Sequence, residues 1–148
     1  MVTQQMYLTQ EDYKPVCSSR ELEILQQSDS ETRERAERTA LEEVASYLRS
    51  RFDIKTEFER QGLERNAHLV QICVNITLYY LMQWLPGKMA SETRTASYEN
   101  AINWLEKVQA GKASPDLPGY DNETGGNDNV SGTFPMMYGS MKKNKYDW

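Results

Sequence analysis

Residues 66–87 read NAHLVQICVNITLYYLMQWLPG, and this stretch decides the architecture. From Leu69 to Leu85 it is apolar on most sides, interrupted by Gln71, Asn75, Thr77 and Gln83. A segment that is apolar around its circumference is a helix enclosed by other elements. It is short for a membrane span and carries too many polar groups for one. Asn66 stands at its start and Pro86-Gly87 stops it, so a central helix is expected over about 66–85.

Two more long helices flank it in sequence. Upstream, Ser28-Asp29-Ser30-Glu31 offers caps. Ala36, Ala40, Leu41, Val44, Ala45, Leu48 and Phe52 then recur at spacings of three and four, which predicts a helix over roughly 30–52. Glu31–Arg35 and Glu34–Arg38 are spaced to pair on its solvent side. Downstream, a helix starts near Ser91 to Thr95 with the stripe Tyr98, Ala101, Ile102, Leu105 and Val108. Gly111 fits the left-handed position just past its end.

Shorter elements come first. Thr9 can cap a short helix with Glu11 and Asp12 in its first turn, and Pro15 breaks it. Ser18-Ser19-Arg20-Glu21 is a capping box for a second short helix carrying Leu22, Ile24 and Leu25. Residues 53–65, DIKTEFERQGLER, read as a charged connector pinned to the domain by Ile54, Phe58 and Leu63.

The expected fold is all-α, a small helical bundle of two to three long helices plus short helices over residues 1–114. An extended C-terminal arm follows over residues 115–148. The core is expected to include Leu41, Val44, Leu48, Leu69, Ile72, Ile76, Ile102 and Leu105. In the arm, DLPGYDNETGGNDNVSGTFP has almost nothing to bury, so ordering it in a monomer has no compensation. The chain then ends in Phe134, Met136, Met137, Tyr138, Met141, Tyr146 and Trp148 among lysines. Apolar clusters of that kind await a partner surface, and the arm is expected to order on assembly.

Composition narrows the function. At 148 residues the chain holds one domain with one core. A net charge of -5 disfavours general nucleic-acid binding, which needs clustered Lys and Arg. The lysine-rich spots near Lys112 and Lys142–Lys145 are too small to change that. Cys17 and Cys73 are far apart and fit no metal or redox spacing, which suggests a reducing compartment. The N-terminus has neither the basic region nor the apolar run of a signal peptide.

No residue set writes out catalysis. His68 is the sole histidine, and Cys73 lies five residues on, off its face. Cys17, with Lys14 and Arg20 nearby, is a weak candidate for a reactive thiol. Gly125-Gly126 has no strand before it or helix after it, as a phosphate cradle would need. Glu31, Glu34, Glu37, Glu42 and Glu43 interleave with Arg33, Arg35 and Arg38 and read as a solvated helix surface. Tyr79, Tyr80, Trp84 and Trp104 sit at helical spacing and read as packed core. Trp104 is off the main stripe, which makes it a candidate partner contact, together with Phe134, Met137, Tyr138, Tyr146 and Trp148. The expectation is a binding protein without enzymatic activity, cofactor or metal.

The order of these segments resembles a family. Tyr7-Leu8-Thr9-Gln10-Glu11-Asp12 matches a Tyr-[Leu/Ile]-Thr-x-Glu-Asp opening. Tyr47 to Phe52 resembles the Tyr-Leu-x-x-Arg-aromatic end of a long helix. Tyr98 to Gly111 fits Tyr-x-x-Ala-x-x-Trp-Leu-x-x-Val-x-x-Gly throughout. Over about residues 6–114 the chain is similar to the Mu-type phage head–tail connector family. It departs from the pattern after Asp53, where a charged stretch replaces a proline-flanked loop, and its arm is longer.

The resemblance implies a structural virion protein. It would be a subunit of a homo-oligomeric ring, typically dodecameric, that joins the portal protein to the tail-completion protein and extends the DNA channel. DNA would pass through without specific binding, and no membrane is involved. The protein would lie in the host cytoplasm during assembly and in the virion afterwards. An acidic chain suits a channel that must not grip phosphates. The alternative is a small helical regulatory or DNA-packaging accessory module. That would favour a basic recognition helix, and none is written here.

Overall fold

A computed structural model describes residues 6–85 and 91–120. A 3-10 turn, Gln10–Tyr13, leads into α1 (Ser19–Leu25), α2 (Ser30–Leu48), α3 (Ile54–Phe58), a second 3-10 turn (Gly62–Glu64), α4 (Ala67–Trp84) and α5 (Glu92–Gln109). The architecture is an all-α bundle, and there is no strand among the described residues.

The helix starts are set by short polar side chains at the expected positions. Ser18 Oγ accepts from the Glu21 amide at 3.1 Å, and Asp29 Oδ1 from Glu31 at 3.0 Å. Asn66 Oδ1 accepts from Leu69 at 2.9 Å, and Ser91 Oγ from Arg94 at 3.3 Å. Gly111, at φ +84°, ends α5 in the left-handed region. Helix α2 stops at Leu48, four residues short of Phe52. Asp53, at φ −81° and ψ 76°, caps α3 and accepts from the Thr56 amide. The Arg51 and Phe52 amides both close on the Leu48 carbonyl, at 3.0 and 2.9 Å, so residues 49–51 form a turn before Asp53 leaves the helical conformation.

Helix α4 is the centre, packed by α2, α5, α1 and the first 3-10 turn. Nine of its residues are buried, from Leu69 to Met82, covering most of its circumference. Thr77 is fully buried and satisfies its hydroxyl on the Cys73 carbonyl at 2.8 Å. Val44, Leu48, Leu69, Ile76 and Leu105 have no exposed surface, and Ile72 is buried. Leu41 and Ile102 are half-buried at the edge of this core. Arg94 ties the start of α5 to Val16 O at 3.3 Å and to Glu21 at 2.7 Å. Arg51 donates to the Val108 carbonyl near the end of α5. Among the described residues no helix is long and apolar enough to cross a membrane.

The connector departs from its sequence reading. Residues 54–58 form α3, with Ile54 buried and Phe58 half-buried against Tyr7. Leu63 pins nothing, because it is fully exposed at the 3-10 turn. The buried anchor of this region is instead Glu57, with no exposed surface. Residues 115–118, expected as the start of a free arm, lie on the domain. Asn66 Nδ2 donates to Asp116 O at 2.9 Å and the Asp53 amide to Pro118 O at 2.8 Å, with Leu117 against the core. Phe134, Met137, Tyr138, Tyr146 and Trp148 lie outside the described residues.

Candidate functional site

The opening motif works as a clasp on the connector. Tyr7 and Leu8 are buried, which brings the Tyr7 hydroxyl to Glu57 Oε2 at 2.6 Å. The Asn66 amide donates to the same oxygen at 2.7 Å, and Arg60 Nη1 reaches the other at 3.2 Å. Arg65 closes the clasp from the far side. It donates to Tyr7 O at 2.8 Å and grips Asp12 with two nitrogens at 2.6 and 3.0 Å. Burial would push the Asp12 carboxyl up. The Arg65 guanidinium and the Thr9 amide outweigh it and hold the group below its ordinary value.

Three glutamates are bound by tyrosines. Besides Tyr7 with Glu57, the Tyr13 hydroxyl donates to Glu37 Oε2, and Tyr80 and Tyr98 donate to the two oxygens of Glu43 at 2.6 and 3.0 Å. This corrects the reading of the α2 carboxylates as a solvated surface at Glu37 and Glu43, while Glu31 and Glu42 are exposed as that reading has them. Glu37 is buried and Glu43 half-buried. The ion pair within the first half of α2 is Arg33 with Glu37, Nε to Oε2 at 3.3 Å and out of line for a hydrogen bond. Glu31–Arg35 and Glu34–Arg38 do not pair. A buried carboxylate demands a partner, whereas exposed ones are served by water.

Burial pushes the Glu37 carboxyl above its ordinary 4.5, although Tyr13 and Arg33 act against the shift. The protonated form is therefore favoured in the fold more than in the unfolded chain. That stability is present below pH 4.5 and is lost as pH rises through the folded value. The melting temperature should fall over that rise, and Glu37→Gln should reduce the fall while keeping an acceptor for Tyr13. An unchanged pH profile in the variant would refute this role.

Around Glu43 the aromatics form a wall. Tyr79 stacks on Tyr98 with centroids 4.0 Å apart, and Tyr80 meets Tyr98 edge-on at 6.1 Å. Trp84 lies 6.2 Å from Tyr80 and is 38% exposed, so it borders the core rather than filling it. Trp104 is half-buried, with the exposed His68 ring edge-on at 4.6 Å. Cys73 is fully buried. Burial pushes the Cys17 thiol up to about 11, so it stays protonated at neutral pH, against the sequence reading of a reactive candidate. No group of His, Cys, Asp or Glu among the described residues could hold a metal.

Between α2 and α3 runs an open groove of about 570 Å³. Leu41, Ala45, Ile54 and Phe58 lie along it, with charged side chains at its edge. Clasp, aromatic wall and groove offer contact surfaces.

The family model described as Bacteriophage Mu, Gp36 matches residues 7–132. The chain belongs to the bacteriophage Mu Gp36 family. The Gp36 match opens on Tyr7, the residue whose phenol anchors Glu57, and runs through every described helix. Membership makes this a Mu-type phage protein. No curated protein and no solved structure matches this Gp36-family chain.

Proposed function

We propose that this Gp36-family protein is a structural virion subunit that assembles into a ring between portal and tail and extends the DNA channel. The observation that carries the reading is the family match over residues 7–132, joined to the connector-type motifs at Tyr7, Tyr47 and Tyr98. The clasped bundle supports it, since a ring subunit must hold its shape while neighbours dock. The negative charge supports it as well, because a DNA channel should not bind phosphate. Non-enzymatic action is part of the proposal. The mechanism is mechanical, with fixed surfaces meeting the portal on one side and the tail on the other.

Negative-stain imaging of the purified protein, alone and with portal, tests it. The expected result is closed rings stacked on the portal. A protein that stays monomeric with portal present, or that binds duplex DNA in its place, would overturn the reading.

A further inference from the structure

The connector ends in a feature that the fold itself does not use. Leu63 is fully exposed, and single exposed leucines are common on protein surfaces. The frame around this one is not. Gly62 takes φ +60°, where a side chain would be strained, and its carbonyl accepts from Arg65 Nε at 2.8 Å. The same guanidinium is fixed on Asp12 and on Tyr7 O. The Glu64 amide closes the turn on Gln61 O at 3.2 Å. A fastened turn thus holds one leucine out in water, with the exposed Glu64 carboxylate beside it.

The groove between α2 and α3 has the opposite shape and charge. Its floor is Leu41, Ala45, Ile54 and Phe58, and its volume of about 570 Å³ leaves room for a leucine and the residues beside it. At its edge Glu42 and Arg49 pair with each other at 3.1 Å. The remaining edge charges are Arg38 and Lys55 against Glu59, one net positive charge. Neither Arg38 nor Lys55 has an ion pair among the described residues.

We propose that Leu63 of one copy enters the α2–α3 groove of a second copy, with Glu64 against the Arg38 and Lys55 edge. This rests on the ring reading and specifies its self-contact. A tip and a groove are different surfaces, so the contact is head to tail. It repeats from copy to copy until it closes.

Disulfide trapping in the full chain tests it. Cys17 and Cys73 are both buried, so introduced surface cysteines are the ones that react. Leu63→Cys combined with Lys55→Cys should give, on mild oxidation, a covalent ladder running past the dimer, while each single variant stays monomeric. A double variant that stops at dimer would mean a reciprocal two-fold pair and overturn the head-to-tail contact. Dimers from Leu63→Cys alone, or no cross-link at all, would overturn the groove as the socket.

Charge exchange gives an independent measure. Glu64→Lys should weaken self-association about tenfold in sedimentation, and adding Lys55→Glu should restore it. No rescue would sink the pairing. Imaging Leu63→Asp with portal separates this contact from the ring itself. Rings from wild type and variant alike overturn the contact and leave the ring. Rings from neither overturn both.

Discussion

Leu48→Ala is expected to lower the free energy of unfolding by about 2–5 kcal/mol. Leu48 has no exposed surface and lies at the end of α2, in the layer that α4 and α5 complete. Removing its branched end deletes contacts on several sides at once. Its neighbours sit on helices held by caps at both Asn66 and Ser91, so they have little freedom to close the gap. Urea melts measure the loss as a shift of midpoint at constant slope. A change under about 1 kcal/mol would show that the layer collapses around the missing atoms and would refute this account of the core.

Glu57→Ala should have an effect of similar size through a different cause. Its carboxylate is fully buried and serves the Tyr7 hydroxyl, the Asn66 amide and Arg60. Alanine would leave the phenol and the amide without an acceptor, at about 1–3 kcal/mol each. Arg60 is partly exposed and would turn to water. A double-mutant cycle distinguishes this from simple loss of packing. Tyr7→Phe alone should cost about 1 kcal/mol, and it should cost nothing or stabilise once Glu57 is alanine, because the phenol is then already orphaned. Additive losses would overturn the assignment.

The helices were legible because their signals are local. Thr9, Ser18, Asp29, Asn66 and Ser91 each announce a start within one turn, and Gly111 an end. The all-round apolarity of 69–85 placed α4 at the centre for the same reason. The candidate surfaces were harder to read. Periodicity counts a glutamate as outward-facing, and the partners that draw Glu37 and Glu57 inward are tyrosines 24 and 50 residues away. Nothing in the spacing of α2 could reveal them. A signal did exist: tyrosines at positions 7 and 13 bracket a short element too small to bury much else. Leu63 was misplaced by the opposite rule, which sends every leucine inward. Gly62 beside it was the warning that the chain turns there.

The region around residues 53–66 has a consequence for the order in which the protein is made. Its contacts run both ways along the chain. Arg65 and Glu57 reach back to Asp12 and Tyr7, while Asn66 and Asp53 reach forward to Asp116 and Pro118. A chain emerging from the ribosome has the backward contacts available as soon as Asn66 is out. The forward ones wait until Pro118 has followed. The bundle is therefore latched twice, first by its beginning and last by its end. A chain that ended between α5 and Asp116 would hold the residues of every backward contact and lack those of both forward ones.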